Sequence, residues 1–292
     1  MVLAAKPEIR EIGDADLDLV GDLLTRGFVF RPREYWMRGL RRLANKPVPP
    51  GVPRYGYLLE SEGVAVGCLL LIYSSRIVGD EAVLRCNVSS WYVDPDFRNY
   101  AALFASMTQK RKEVTYFNVT PALHTWPILE AQGFEAYCRG SFFCRPSVSG
   151  SGHGMKVRAV EADAEFVSGL PDADFEMLKR HAEYGCVSLV CDTGDAVLPF
   201  IFIPLRKRRG FIAMPAVLLG YCNSIADYVR CAGAIGRYLL WQGKAVVIVD
   251  ANEPVRGLKG VYREPGNRRY FKGPHRIELG DLADTELAIF GL

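Results

Sequence analysis

Hydrophobic residues in the first half of the chain recur with two periods, one typical of helices and one typical of strands. Val20, Leu24 and Phe28 fall on one face of a helix, whereas the later apolar runs are rich in β-branched and aromatic residues. The predicted elements, in chain order, are helices over residues 16–28 and 33–43, strands near 55–60, 64–74 and 82–93, a helix after 98, a strand over 114–120, a short helix ending at 132–134, and a strand near 135–144.

The second half shows a similar succession of patterns. Its predicted elements are helices near residues 162–170 and 175–181, strands near 187–191, 197–204 and 211–221, a helix over 225–241, and strands over 245–251 and 268–272. Two helices, three antiparallel strands, a helix and a parallel strand therefore occur twice. This order predicts an α/β fold of the α+β type, with a mixed, mostly antiparallel sheet in each half that splays between its fourth and fifth strands.

A segment without large apolar residues separates the halves. The sequence PSVSGSGHG, Pro146–Gly154, is rich in serine and glycine, a composition typical of a flexible connection. We therefore predict a first domain over residues 1–146, a linker over 147–154 and a second domain over 155–292. The linker is expected to be exposed and to form no strand.

Composition limits the classes of partner. The 292 residues are 49% hydrophobic, contain no apolar run of transmembrane length and carry a net charge of +3. These values predict a soluble protein that binds neither membrane nor nucleic acid. The eight cysteines include no C-x-x-C pair, and the first ten residues lack the apolar core of a signal peptide. Buried free thiols in the cytoplasm are therefore expected, and no metal site.

The stretch from Trp91 to Met107, WYVDPDFRNYAALFASM, predicts a strand, a turn and then a helix. A helix that begins directly after a strand points unpaired backbone N–H groups and the positive end of its dipole into the gap. Such an arrangement favours binding of a phosphate group.

Here the residues resemble a known family. The order of elements, the pattern V-x-P-x-x-R at Val93, Pro95 and Arg98, and the Gly133-Phe134 ending of the short helix are similar to the GNAT superfamily of acyl-CoA-dependent N-acyltransferases, in tandem. The resemblance implies acetyl-CoA or another acyl-CoA as the donor. It also implies a pyrophosphate loop that runs R/Q-x-x-G-x-G/A. At the positions of that loop and of the preceding strand end, this chain has Tyr92, Val93, Arg98, Asn99, Tyr100, Ala101, Ala102 and Leu103.

Two departures from the family pattern bear on the site. Ala101 and Leu103 replace the two small residues of the loop, and a leucine that points toward the loop would crowd a diphosphate. The position at which the family often has a tyrosine, the acid that protonates the leaving thiolate, is Leu129.

The remaining chemistry requires a donor for the thioester carbonyl, a route for the amine proton and an acid for the sulfur. The resemblance implies that backbone N–H groups near Tyr92 and Val93 polarise the carbonyl. Asn118, on the fifth strand, and His124, a residue type that commonly transfers protons in catalysis, are the candidate catalytic residues. A histidine at a helix terminus with a local hydrogen bond is the other interpretation of His124. Arg31, Arg33 and Arg38 are candidates for contact with an acidic substrate.

The second half has the order of elements without the motif. Its loop GYCNS, Gly220–Ser224, offers Asn223 or Ser224 as a helix N-cap but has no R-x-x-G-x-G/A pattern. We interpret it as a degenerate copy that shapes the acceptor pocket or a homodimer contact, with donor binding in the second domain as the rival. The predicted function is transfer of an acyl group from acyl-CoA to an amine of a small molecule or peptide. The alternative is a non-catalytic ligand- or partner-binding protein on this scaffold.

Overall fold

The computed structural model describes residues 7–78, 81–205, 208–209, 212–213, 215–264 and 268–292. The chain divides into two compact units. The first comprises the chain up to Glu135 together with Arg269–Arg276, and the second comprises Ala136–Arg268 together with Ile277–Leu292.

The first unit contains helices on a mixed sheet. Its elements are β1 Glu8–Glu11, α1 Leu17–Gly27, α2 Arg33–Asn45, β2 Gly56–Ser61, β3 Val64–Val78, β4 Glu81–Val93, α3 Ala101–Thr108, β5 Thr115–Asn118, α4 Trp126–Ala131 and β6 Glu135–Cys138, the last crossing the unit boundary. The sheet has seven strands in the order β1-β2-β3-β4-β5-β16-β6, where β16 is Arg269–Lys272. The pair β4–β5 is parallel, and the pairs from β1 to β4 and β5–β16 are antiparallel.

Alternate residues of the long strand β3 lie on the same face of the sheet, and this face contributes to a hydrophobic core. Leu69, Leu71 and Tyr73 belong to one buried cluster, which also contains Phe104 of α3 and Leu129 of α4. Helices α1 and α2 bury the apolar residues that recur at helical spacing, and α1 packs on β3. The helices predicted over residues 16–28 and 33–43 are thereby confirmed.

The predicted splay between the fourth and fifth strands is confirmed. Arg85, Cys86 and Asn87 of β4 pair in parallel with Thr115, Tyr116 and Phe117 of β5. Strand β4 then continues to Val93, whereas β5 ends at Asn118. In the described residues, β3 and β5 are the only strands that pair with β4. One edge of β4 beyond Asn87 is therefore open.

The second unit repeats this plan around a longer helix. Its elements are β7 Gly140–Cys144, β8 Lys156–Ala159, α5 Asp172–Glu183, β9 Val187–Asp192, β10 Val197–Pro204, β11 Arg208–Arg209, β12 Ile212–Ala213, β13 Ala216–Cys222, α6 Ile225–Trp241, β14 Val246–Ala251, β15 Gly260–Arg263 and α7 Glu286–Ile289. Its sheet also has seven strands, in the order β15-β7-β14-β13-β10-β9-β8, and β13–β14 is its parallel pair. Ser224 caps α6 by accepting a hydrogen bond from the Asp227 N–H, as the sequence predicts.

The helix predicted near residues 162–170 is wrong. This stretch is irregular, although Val167 and Leu170 pack in a core cluster as the residues of a helix would. Gly169 has a φ of +85°, and Pro171 directly precedes α5, so the chain turns where a helix would have to continue. The short strands β1 and β8 were not predicted, because four residues carry too little periodicity to identify a strand.

The segment Pro146–Gly154 forms no strand, as predicted, but the expected exposure is confirmed only in part, at Val148, Gly150, His153 and Gly154. Pro146, Ser149 and Gly152 are buried, and the segment lies against α6. The Ser151 hydroxyl accepts a hydrogen bond from the Gly233 N–H, and Arg237 donates to the Gly152 carbonyl. Gly233 and Gly236 of α6 permit this close approach. A Cβ at Gly233 would lie 2.1 Å from the Ser151 carbonyl oxygen, and a Cβ at Gly236 would lie 2.2 Å from the Ser147 backbone nitrogen.

The limits of the two compact units differ from the predicted domain limits, because one strand from each half of the sequence belongs to the other sheet. Strand β7 precedes the 147–154 segment in the chain, yet it pairs with β14 and β15 in the second sheet. Strand β16 follows that segment, yet it pairs with β5 in the first sheet. Each sheet therefore takes a strand from the sequence half that was predicted to form the other domain.

Candidate functional site

Strand β4 carries a β-bulge in its pairing with β3, in the stretch beyond Asn87 whose other edge is open. Cys68 pairs with Tyr92 and Leu70 pairs with Ser89, so two residues of β4, Ser90 and Trp91, lie opposite Leu69 alone. Ser90 has a φ of +49°, a left-handed conformation that is uncommon for a residue with a side chain. A bulge turns backbone N–H groups out of the regular ladder, and local strain of this kind concentrates at functional sites.

Trp91, one of the two bulge residues, has an unsatisfied hydrogen-bond donor. The Trp91 indole Nε1 is buried, and no described residue accepts its hydrogen bond. Phe97, Tyr100 and Trp126 are partly buried and pack onto the same core cluster as Trp91. A donor without a partner in apolar surroundings fits a site that receives a polar group from a ligand.

Tyr92 and Val93, the predicted carbonyl-binding positions, occupy the last two positions of β4. The Tyr92 hydroxyl donates to the Asp94 carboxylate at 2.7 Å, and Arg26 pairs with the same carboxylate at 2.9 Å. Burial, followed by this hydrogen bond, raises the pKa of Tyr92. The Tyr92 ring lies against Gly27, where a Cβ would be only 2.3 Å from it. The Tyr92 side chain therefore anchors the end of β4 within the protein. Only the backbone of Tyr92 is a candidate for contact with a ligand.

The predicted pyrophosphate loop is helical. Pro95–Tyr100 forms a 3-10 helix that runs directly into α3, so Arg98, Asn99 and Tyr100 lie in the 3-10 segment, and Ala101, Ala102 and Leu103 in the first turn of α3. Arg98 is exposed, and no described residue pairs with its guanidinium. The Leu103 side chain is about half exposed, at 49%.

Two acidic residues lie at the start of this helical segment. Asp94 precedes Pro95, and Asp96 lies in the first turn. Arg26 neutralises Asp94 through the ion pair described above. The carboxylates lie near the N–H groups that would otherwise attract a phosphate, so Arg98 is the side chain here that can contribute positive charge to a diphosphate.

The candidate residues after β5 differ in their surroundings. Asn118 ends β5, and its side-chain oxygen accepts a hydrogen bond from the Thr120 N–H at 3.2 Å, which fixes the following turn. His124 is exposed in a single 3-10 turn, Leu123–Thr125, and no described residue bonds to its ring. Leu129 is buried in the core. The structure thus places Asn118 and the β4 bulge on neighbouring strands, and His124 in the connection that follows.

Sequence reasoning missed Tyr270. This residue of β16 pairs with Asn118, and its hydroxyl donates to the Glu130 carboxylate at 2.8 Å. Its ring is fully buried and lies 6.4 Å from that of Trp126. Tyr270 therefore brings a hydroxyl to the end of β5, beside the helix that carries Leu129. No local sequence pattern predicts the contact between Tyr270 and Glu130, because the two residues lie far apart in the chain.

The arginines predicted to meet an acidic substrate are partly engaged within the helices. Arg33 pairs with Asp18 and Asp22 of α1, both at 2.6 Å. Arg31 lies over the Tyr35 ring, 4.5 Å from its centroid. Arg33 therefore joins α1 to α2, which gives it a role that needs no substrate.

In the second unit the corresponding opening is filled by the chain itself. Strand β13 pairs with β14 over Ala216–Leu218 and extends to Cys222. The Cys222 N–H donates to the Gly280 carbonyl, and the Leu282 N–H donates to the Gly220 carbonyl. Because β10 occupies the other edge of β13, the segment around Asp281 lies on the edge that faces the splay. The rival, a donor site in the second domain, stays a prediction, and the edge of β13 offers it no unpaired backbone at Gly220 and Cys222.

The described residues give no indication of a metal centre or a membrane segment. Within those ranges, no three His, Cys, Asp or Glu side chains are grouped so that they could hold a metal ion. None of the helices in the same ranges is both long and apolar enough to cross a membrane. All eight cysteines lie in the described residues and none of them forms a disulfide, and seven of them are buried. Burial raises the pKa of Cys86, on β4, well above its usual value, so its thiol is a poor nucleophile.

No protein-family model matches the sequence, and no curated protein matches it. Solved structures do match. A GCN5-related N-acetyltransferase from Anabaena variabilis is 11% identical, with a TM-score of 0.56 over 91% of this chain and 72% of its own. A conserved protein of unknown function from Enterococcus faecalis, described as a probable N-acyltransferase, is 9% identical, with a TM-score of 0.59 over 96% and 74%.

A third similar structure, a putative acetyltransferase from Pyrococcus horikoshii, is 12% identical, with a TM-score of 0.52 over 97% of this chain and 94% of its own. These identities are too low to carry function, but the agreement extends over nearly the whole chain. The fold is that of the GCN5-related N-acetyltransferases, and the two seven-stranded mixed sheets fit two such domains in tandem.

Proposed function

We propose that this protein, which has the GCN5-related N-acetyltransferase fold, is an acyl-CoA-dependent N-acyltransferase that binds its donor in the first unit. The observation that carries the proposal is the difference between the two openings. Beyond Asn87, the edge of β4 that faces β5 is unpaired in the described residues, and the Ser90 bulge lies in the same stretch of β4, in its pairing with β3. The corresponding edge of β13 is instead paired with the segment around Asp281. If the thioester-bearing arm of the donor lies along β4, it can hydrogen-bond to backbone groups at the open edge of that strand. In the second unit, the corresponding backbone groups of β13 are hydrogen-bonded to the segment around Asp281 of the same chain.

The residues present fit an acyl thioester donor at its reactive end. A backbone N–H at the bulge, near Tyr92 and Val93, would polarise the thioester carbonyl, and the Trp91 indole is a second donor in the same region. The acceptor amine then attacks that carbonyl and forms the C–N bond, and its nitrogen loses a proton to water. The C–S bond breaks, and the leaving thiolate takes a proton from an acid. Acetyl-CoA is the donor to be tested first, and longer acyl chains remain within the proposal.

Two side chains are candidates for the acid. Tyr270 has a hydroxyl at the end of β5 that donates to Glu130, and we propose it as the substitute for the hydroxyl that Leu129 lacks. His124, the candidate from the sequence, is exposed and can exchange protons with water. We favour Tyr270, because its ring is held rigidly in the core whereas His124 lies in a single turn.

The diphosphate end of the donor is proposed to depend on Arg98. Because the 3-10 segment places Asp94 and Asp96 at its start, the backbone alone offers a poor anion site, and the exposed guanidinium supplies the missing charge. The remaining predicted contacts, Asn99 to Leu103, would act through the helical backbone that follows. The acceptor is proposed to be an amine of a small molecule or a peptide.

Arg98→Ala is expected to weaken acetyl-CoA binding by about 1.5–3 kcal/mol, the range for a hydrogen bond to a charged group. Calorimetric titration measures the change. The matched control is Arg256→Ala, because Arg256 is also exposed, lies in the second unit and has no partner among the described residues. If both variants keep the wild-type affinity, the segment after β4 does not bind the diphosphate.

Thermal denaturation of the wild-type protein tests the proposal itself. Acetyl-CoA at about one hundred times its dissociation constant should stabilise the protein by about 2.7 kcal/mol, which appears as a rise in Tm of several degrees. Absence of any shift with acetyl-CoA or longer acyl-CoA at millimolar concentration would favour the alternative, a non-catalytic binding protein on this scaffold.

Location in the cytoplasm and a homodimer remain proposals. The buried free thiols fit a reducing compartment, and burial raises the pKa of Cys68 to about 12, which keeps it unreactive. Light scattering during size-exclusion chromatography would give the oligomeric state directly.

A further inference from the structure

The connection between α1 and α2 begins against the end of β4, where the thioester carbonyl is proposed to bind. Gly27 is the last residue of α1, and a Cβ on it would lie 2.3 Å from the Tyr92 ring. The Phe28 ring then packs on Trp36 of α2, with 5.3 Å between the ring centroids, and Trp36 packs edge-on against Tyr35 at 5.0 Å. A continuous row of contacts therefore leads from the end of β4 to the Tyr35 ring.

The arginines around this connection differ in whether a carboxylate compensates their charge. Three of them, Arg26, Arg33 and Arg41, form ion pairs within the first unit. Arg31 and Arg38 form no ion pair with any residue that the structure describes. Two positive charges beside the connection are therefore uncompensated.

The two unpaired arginines converge on the same aromatic ring. The Cζ atom of Arg31 lies 4.5 Å from the centroid of Tyr35, and that of Arg38 lies 5.9 Å from it. The Nε atom of Arg38 is buried, and no described residue accepts its hydrogen bond. Glu34, one turn earlier on α2, pairs with Arg41 at 3.6 Å instead. This arrangement favours a ligand with an anionic group, which would accept hydrogen bonds from both guanidinium groups.

Ordinary solvation of surface arginines explains only part of this arrangement. Arg31 is exposed, and its cation–π contact with Tyr35 accounts for its position. Neither effect accounts for the Arg38 Nε, which is shielded from water and has no acceptor. The connection also exposes two apolar side chains next to Arg31, Val29 at 75% and Phe30 at 96%. Apolar surface and uncompensated positive charge therefore lie side by side near the proposed reaction centre.

We propose that the acceptor is an amine that also carries an anionic group, a carboxylate or a phosphate, and that Arg31 and Arg38 bind this group beside the Tyr35 ring. A guanidinium forms two parallel charge-assisted hydrogen bonds with either anion. Val29 and Phe30 would contact an apolar side chain of the same acceptor. This inference rests on the proposed acyl transfer and specifies the class of acceptor that the reaction uses.

Steady-state kinetics with matched pairs of amines tests the inference. The pairs are L-phenylalanine with L-phenylalaninamide, and O-phosphoethanolamine with ethanolamine. For at least one pair, kcat/KM of the wild-type protein is expected to be about tenfold or more higher for the anionic member. Which pair shows the preference identifies the anion. A preference for the uncharged member in both pairs would overturn the inference.

Variants of the two arginines assign the preference to this site. Arg38→Gln is expected to lower kcat/KM for the anionic amine about tenfold and to leave the uncharged amine unchanged. Arg31→Gln should act in the same direction, and its exposed position makes a folding defect unnecessary to consider. Arg41→Gln is the control, because Arg41 is an exposed arginine of the same helix that already pairs with Glu34, and it should keep the wild-type preference.

Titration calorimetry without an acyl donor separates this inference from the proposed acyl transfer. L-phenylalanine and O-phosphoethanolamine are titrated into the wild-type protein and Arg38→Gln. Binding that Arg38→Gln weakens about tenfold supports the anion site, even in a protein that does not bind acetyl-CoA, and that combination would contradict the acyl transfer alone. The inference is overturned if neither amine binds at millimolar concentration, or if Arg38→Gln binds as tightly as the wild type, while acetyl-CoA binds normally.

Discussion

Gly236→Ala is expected to destabilise the protein by about 2–3 kcal/mol, near the upper end of the range for an overpacked interior. The same change inside an ordinary helix stabilises by about 1 kcal/mol. The sign reverses here because the new Cβ would lie 2.2 Å from the Ser147 nitrogen and 2.4 Å from the Pro146 carbonyl carbon, and both are backbone atoms that cannot rotate away. Urea denaturation followed by circular dichroism measures the loss.

Gly150→Ala is the control for this prediction. Gly150 belongs to the same segment, has open space where a Cβ would lie and has no positive φ, so alanine should fit without strain. A result in which the two variants are equally stable would show that the segment is not packed on α6 in solution. Limited proteolysis should then find the cleavage sites that the packed arrangement protects.

Tyr270→Phe is expected to lower kcat by about a hundredfold or more, the range for loss of a general acid, with little change in KM for acetyl-CoA. The phenyl ring fills the same buried space, so the fold should persist while the hydroxyl that contacts Glu130 is lost. Steady-state kinetics with acetyl-CoA and a panel of small-molecule and peptide amines measures both constants.

His124→Gln separates the two candidate acids. If Tyr270 acts on the leaving thiolate, His124→Gln should retain nearly full activity, because the exposed histidine has no described partner to position it. If His124→Gln is the slow variant and Tyr270→Phe is normal, the assignment made from the sequence is the correct one. A loss of kcat in Tyr270→Phe together with a fall in Tm would instead indicate a structural role.

The sequence allowed the prediction of features that depend on local pattern. The helical face of Val20, Leu24 and Phe28 and the succession from the strand ending at Val93 to α3 are encoded within a few residues, and the structure has both elements. The 3-10 geometry of Pro95–Tyr100 was not foreseen, because the family resemblance suggested a loop where the residues themselves permit a helical turn.

Features that depend on distant pairing could not be predicted. Arg269 donates a hydrogen bond to the Val119 carbonyl, 150 positions earlier in the chain, and no spacing rule connects the two. Tyr270 reaches the candidate site through the same pairing of β16 with β5. The filling of the second opening by the segment around Asp281 is likewise a matter of tertiary structure, since that segment has no strand pattern of its own.

The position of β16 in the first sheet has a consequence for synthesis on the ribosome. The chain emerges from its N-terminus, and at about 5–20 residues per second the stretch from Glu135 to Arg269 takes on the order of ten seconds to appear. Until then β5 lacks its antiparallel neighbour and exposes an unpaired edge that contains Tyr116 and Phe117. We expect nascent chains that end before residue 269 to bind chaperones and to be sensitive to protease, and chains that include residue 276 outside the exit tunnel to become resistant.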